Sequence, residues 1–221
     1  MAEMVLPGDP AVAVVVRTSS RARRLSLRVS RLDGRVTLTM PSHIPVETAR
    51  AFAYERADWV KRQLRDVAGP VVVGDGTLLP LEGVPTRVVL GRAAAPGEIA
   101  AKTAPALAGV LKARARDRLA EAVDHYTERL GRKATALTLR DTRSRWGSCS
   151  SRGRLMFSWR LIMAPPDVLD YVAAHEVAHL RHMDHSPAFW GTVEGLMPDY
   201  TDHRDWLRAH GTDLHRYSFD H

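Results

Sequence analysis

His175-Glu176-Val177-Ala178-His179 decides how the C-terminal half of this 221-residue chain is read. Two histidines four residues apart on a helix project from one face, close enough for both imidazoles to reach a single metal ion. The glutamate between them stands beside the metal without being a ligand, where it can take a proton from metal-bound water. Upstream, Pro165-Pro166-Asp167 is a helix start, with prolines where a first turn tolerates them and an acid at the positive end of the helix dipole. From there Val168, Val172, His175 and His179 recur at intervals of four, three and four, so both histidines continue a buried stripe. Glu176 lies about 100° round the helix from His175. The bland alternative is a pair of hydrogen-bonded core histidines; the glutamate set between them favours the metal.

Zinc needs a third protein ligand and keeps one position for water. His182 lies about 10.5 Å beyond His175 along a continuous helix. Zn–N bonds of about 2.0–2.1 Å do not easily span that rise while His179 also binds. His185 comes after a break, because Ser186-Pro187 reads as an N-cap and the first position of a new helix. A turn there can swing His185 back over the metal, which makes it the preferred ligand. Glu194, on the following helix, is the second choice.

Arg145-Trp146-Gly147-Ser148-Cys149-Ser150, Phe157-Ser158-Trp159-Arg160-Leu161, Ala164-Pro165-Pro166, Tyr171-Val172, the stretch from His175 to Leu180, and His185-Ser186-Pro187-Ala188-Phe189-Trp190 form a set of runs with one further reading. Together they resemble the YgjP-like zinc metallopeptidases, relatives of the SprT-like proteins within the zincin group. The resemblance spans residues 17–210 and implies His175, His179 and His185 as ligands of one zinc ion, with Glu176 as catalytic base. The spacing HExxHxxxxxH also fits metzincins, but those carry glycine where this protein has His182, and no convincing methionine turn follows.

Length and composition suit a soluble cytoplasmic enzyme with no membrane association. A chain of this length buries a substantial core in one large or two small domains. The early apolar run, residues 11–16, is too short for a membrane span or a signal-peptide core. The single cysteine, Cys149, excludes an internal disulfide and a thiolate-rich zinc site. It reads better as a small packed residue than as a nucleophile.

The expected fold is α+β: a β-rich N-terminal module (residues 1–95), then a zincin-like domain (104–221) with a small sheet and the HExxH helix. In the module, Leu25, Leu27 and Val29 alternate with polar residues, Asp33-Gly34 makes a turn, and Val36, Leu38 and Met40 return. Residues 46–67 read as one helix with Phe52, Trp59, Val60 and Leu64 on its apolar side, and 77–81 and 86–90 as short strands. Residues 91–106, rich in alanine with glycine and proline, are the linker candidate. A long helix over 107–130 stops at Gly131, and strands over 137–140, 143–148 and 154–162 precede the metal helix. One of these strands would align an extended peptide by backbone hydrogen bonds. Asp199 or Thr201 caps a last helix carrying Trp206 and Leu207.

The expected activity is peptide-bond hydrolysis, with Tyr200 and His203 as candidates to stabilise the oxyanion. Charge supports two rivals. The net charge is +7, and residues 17–35 hold arginines at 17, 21, 23, 24, 28, 31 and 35 against one acid, Asp33. Such a basic hairpin suits nucleic acid or an acidic partner. Yet the sequence has 28 Arg and four Lys, which looks like coding bias, and the hairpin lacks interleaved aromatics for base stacking. Alternatively Arg143, Arg145, Arg152, Arg154 and Arg160 would bracket the phosphates of a nucleotide, giving a zinc-dependent nucleoside triphosphate pyrophosphatase.

Overall fold

Alternate residues of the first strands are buried in the computed structural model, which describes residues 2–8, 10–30, 33–65 and 69–220. Strand β1 (Ala2–Leu6) pairs antiparallel with β2 (Val12–Ser19), which runs parallel to β4 (Val36–Pro41). Strand β3 (Ser26–Val29) closes the sheet as the expected hairpin partner of β4, with Val29 opposite Val36. The apolar run at 11–16 is thus a strand at the sheet's centre. Leu6, Val14, Val36 and Leu38 face a core shared with Ala49, Ala53 and Val60 of the following helices.

Residues 46–65 form two helices, α1 (Val46–Glu55) and α2 (Ala57–Arg65), where the sequence suggests one. The break falls at Arg56, with φ −107° and ψ 10°. Its guanidinium donates to the Phe52 carbonyl at 3.3 Å and stacks 3.8 Å from the Phe52 ring, so a side chain supplies a donor at the helix end. Arg31 and the end of the expected helix, residues 66 and 67, lie outside the described residues.

The protein divides into two compact units, Met1–Pro70 and Val71–His221. Strand β5 (Val71–Val72) opens the second unit. Strands β6 (Leu78–Leu81) and β7 (Val84–Leu90) form a hairpin whose turn residues Glu82 and Gly83 have φ of 49° and 78°, and β8 (Glu98–Ala101) adds parallel to β7. Residues 71–95, assigned from sequence to the N-terminal module, therefore belong with the second unit. Val73, Leu79, Val88 and Ile99 share one core with Leu107, Leu111 and Trp159. The linker candidate is likewise corrected: residues 91–106 contain β8 and the start of α3 (Ala104–Leu130). Burying Ile99 outweighs the loop-like composition around it.

Helix α3 starts where Thr103 accepts from the Ala106 N–H and stops at Gly131, whose φ of 67° suits glycine. Its N-terminal half covers β6–β8. Its C-terminal half, through Leu119, Tyr126 and Leu130, packs on a second core. That core is supported by a three-stranded sheet in the order β10-β11-β9. Strand β9 (Ala136–Arg140) runs parallel to β11 (Arg154–Ser158), and β10 (Gly147–Cys149) is an antiparallel edge. Two strand expectations were too long. Residues 143–146 are not strand, and 159–163 form a 3₁₀ turn with Trp159, Leu161, Ile162 and Met163 all buried.

The metal helix is α4 (Pro166–Ala178), followed by α5 (Pro187–Leu196), α6 (Tyr200–His210), a 3₁₀ turn (Gly211–His215) and β12 (Tyr217–Ser218), which pairs parallel with β5. Arg160, 8% exposed, makes a bidentate pair with Asp141 at 2.7 and 3.0 Å and donates to the Leu214 and Tyr217 carbonyls at 3.0 Å each. One guanidinium thereby ties the turn after β11 to the C-terminal segment.

The shared core predicts that residues 71–221 fold without the first 70. In that fragment Leu79→Ala should cost about 2–5 kcal/mol in urea unfolding, as expected for emptying a filled core position. A cost below about 0.5 kcal/mol would place the β6–β8 hairpin outside the core.

Candidate metal centre

Helix α4 is buried on nearly every side. Val168, Leu169, Tyr171, Val172, Ala173, Ala174, Val177 and Ala178 are all in the core, so the helix cannot rotate without exposing apolar surface. That burial fixes where its polar residues point. His175 and His179 take one face, and the helix ends at Ala178, with His179 still in right-handed helical dihedrals. A turn follows, and α5 starts as the sequence suggests: the Ser186 hydroxyl accepts from the Phe189 N–H at 3.4 Å, with Pro187 in the first turn.

This turn carries His185 back over the helix. One ring nitrogen from each of His175, His179 and His185 lies within 4.8 Å of the others, a spacing at which one cation can be shared. The Nε2 atoms of His175 and His185 face each other at 3.2 Å. The His182 carbonyl sits 2.9 Å from His179 Nδ1, which fixes the proton there and leaves Nε2 as the free lone pair. Phe189 packs against all three rings, at 4.4 to 4.9 Å between centroids. His182 thus contributes its carbonyl and its ring stays outside the cluster. Glu194 is exposed on α5 and also outside it.

Burial, then the neighbouring histidines, pushes the His175 pKa down to about 3, and burial also lowers that of His179. Both imidazoles are therefore neutral at pH 7, the form in which they can ligate a metal. Three imidazole nitrogens fit zinc in type and number.

Glu176 is 5% exposed, and burial raises its pKa to about 8, opposed by the charge of Arg145. Gly147 of β10 lies against it: a Cβ there would come within 2.6 Å of Glu176 Cγ and Oε1, so no side chain fits without a shift. A cleft of about 410 Å³ opens between β10 and the histidines, lined by Arg145, Gly147, Cys149, Glu176 and Met183 among others. Ser158 N bonds Trp146 O at 2.8 Å and Ser150 N bonds Arg154 O at 3.0 Å, so residues 146, 148 and 150 turn toward β11. The backbone N–H and C=O of Gly147 and Cys149 consequently face the free edge. Cys149 is half-buried, and burial, then the Glu176 charge, raises its thiol to about 11, which suits a packed residue rather than a nucleophile.

Tyr200 and His203 do not line the cleft. Tyr200 stacks on Trp190 at 5.5 Å, and His203 pairs with Asp199 at 3.2 Å. A second cavity beside His175 is lined instead by Trp146, Tyr171, Trp190 and Arg204. Tyr171 and Arg204, which line this second cavity, were not among the site residues the sequence suggested. Tyr171 lies four residues before His175 on the same face, a signal the spacing offered; Arg204 gave none. Of the five arginines suggested for phosphates, Arg160 is committed to Asp141 and Arg145 stands at the cleft.

The protein belongs to the YgjP-like metallopeptidase domain family, whose profile matches residues 23–210. The metallopeptidase zymogen abylysin of Pyrococcus abyssi is similar over 41% of this protein and 92% of its own length, at 21% identity and a TM-score of 0.39. No curated protein matches. No helix among the described residues is long and apolar enough to cross a membrane.

The Gly147 contact predicts that Gly147→Ala destabilises by about 1–3 kcal/mol through overpacking. In a Glu176→Ala background that loss should shrink, read by urea unfolding; an equal loss in both would put the strain in the backbone. His215 stacks on Trp146 at 4.8 Å, and burial, then Arg160, lowers its pKa to about 4. A folded-state pKa below the unfolded one adds stability above the unfolded value that is lost as pH falls. Melting temperature should therefore drop between about pH 6.5 and 4, and His215→Gln should flatten that slope.

Proposed function

We propose that the protein is a zinc-dependent peptidase in which His175, His179 and His185 hold the metal and Glu176 is the general base. The convergence of three ring nitrogens beside a buried carboxyl carries this reading. Zinc held there would act as a Lewis acid on the scissile carbonyl and acidify the attacking water. Glu176 takes a proton from that water as its oxygen bonds the carbonyl carbon. The carboxyl then returns the proton to the amide nitrogen as the C–N bond breaks. Its low exposure keeps competing water from this exchange.

The substrate lies extended along β10, bonded to the outward N–H and C=O of Gly147 and Cys149. Pairing antiparallel to β10 sends the substrate residues that follow the scissile bond toward Trp146. Tyr171, beside His175 with its pKa raised to about 12 by burial, stays protonated and is our candidate donor to the oxyanion in place of Tyr200 and His203. Membership of a metallopeptidase domain family favours a protein or peptide substrate over nucleotide or nucleic acid, for which the comparisons bring no support.

Digestion of a diverse peptide library by the zinc-loaded protein, read by mass spectrometry, tests this. Glu176→Gln should keep one zinc per protein molecule and lose turnover by about 10²–10⁴-fold. Surviving turnover would remove Glu176 from the mechanism, and zinc binding without cleavage by the wild type would remove the peptidase reading. His185→Ala should weaken zinc binding at least about tenfold; full retention would return the third ligand to Glu194 or His182.

A further inference from the structure

We propose that the cavity beside His175 headed by Arg204 is a substrate subsite for a peptide carboxylate on the C-terminal side of the scissile bond. This rests on the peptidase reading and on antiparallel pairing with β10. The cavity is about 320 Å³, the size of one or two side groups, and Trp146 and Trp190 form its walls. Among the described residues no carboxylate lines it, and its arginines are Arg204 and Arg208.

Arg204 is placed as a recognition group. Its guanidinium carbon lies 5.4 Å from the Trp190 ring centre and 5.6 Å from that of Tyr200, so two aromatic faces hold the plane. Those rings stack on each other at 5.5 Å, and Tyr200 stacks on Tyr171 at 6.3 Å. Arg204 Nε is buried with no hydrogen-bond partner. Its nearest acid, Asp205, is 3.6 Å away, exposed, and also pairs with Arg208 at 3.2 Å. A carboxylate entering the cavity would supply two acceptor oxygens to the accessible terminal N–H groups of a planar fork already held in place. Aromatic walls lower the local dielectric and strengthen that contact. Across the metal site, Arg145 lines the cleft with no ion pair among the described residues, so the approach to the histidines is positive on both flanks.

The carboxylate has two sources, an acidic side group or the free C-terminus of a short peptide. Peptides carrying Glu or isosteric Gln C-terminal to the cleavage point, each with a free or amidated end, separate them. The wild type should cleave Glu peptides with kcat/KM at least about tenfold above Gln peptides. Arg204→Gln should abolish the preference, Arg204→Lys keep part of it, and Arg204→Glu shift it toward Lys-bearing peptides. Dependence on the free end alone assigns the subsite to the α-carboxylate. Equal cleavage of all four peptides, or a preference that survives Arg204→Gln, overturns the subsite and leaves the peptidase standing. If nothing is cleaved, the peptidase reading falls, and binding still decides Arg204. Fluorescence of Trp146 and Trp190 in the Glu176→Gln protein should then report tighter binding of the Glu peptide; equal affinities overturn the subsite.

Discussion

A helix buried on nearly all sides has no freedom to rotate, and α4 is such a helix. Its apolar residues face α3, the β9–β11 sheet, α5 and α6, and fully burying one of them contributes about 1.5–3 kcal/mol. Rotating α4 would forfeit many of these contacts together. The orientation of His175, Glu176 and His179 is therefore set by hydrophobic packing rather than by the polar residues themselves. Crowding three imidazoles within 4.8 Å and burying a carboxyl beside them is unfavourable without a cation, and the surrounding core supplies the stability that holds the arrangement.

The sheet meets this helix through glycine. At Gly147 the edge strand comes so close to Glu176 that a methyl group would overlap the carboxyl. The same approach brings the free backbone edge of β10 to the cleft. In the proposed reading, packing distance and substrate alignment share one residue, and any larger residue at position 147 would disturb both. Arg160 fixes the other end of this region. Its pair with Asp141 and its bonds to the Leu214 and Tyr217 carbonyls hold the C-terminal segment, from which His215 stacks under Trp146. Asp141 is exposed while Arg160 is buried, so removing Asp141 would leave a buried guanidinium without its carboxylate partner. The wall of the cavity therefore depends on a contact well away from the histidines.

Several readings came straight from local rules. The 25–40 hairpin, the α3 stop at Gly131, the helix start after Pro165 and the break before Ser186 all follow from turn and capping chemistry, which acts over a few residues. Others failed because side-chain contacts overrode the backbone signal. Ile99 pulls an alanine-rich stretch into a sheet, Arg56 splits a helix by bonding the Phe52 carbonyl, and Trp159 ends a strand as a turn in order to enter the core.

By itself the sequence determined that His175 and His179 share one helix face with Glu176 between them, because a four-residue repeat on a helix converts spacing directly into a shared face. It preferred His185 as third ligand and kept Glu194 as second choice. It also determined that a turn separates His179 from His185. Tertiary structure alone decided that the turn folds back over the helix, that β10 rather than β9 borders the cleft, and that Arg204 lines the second cavity while Tyr200 and His203 stay off the cleft. Each of these depends on how separate elements pack, and packing is fixed by contacts among residues far apart in the sequence, which leave no periodic trace in any one segment.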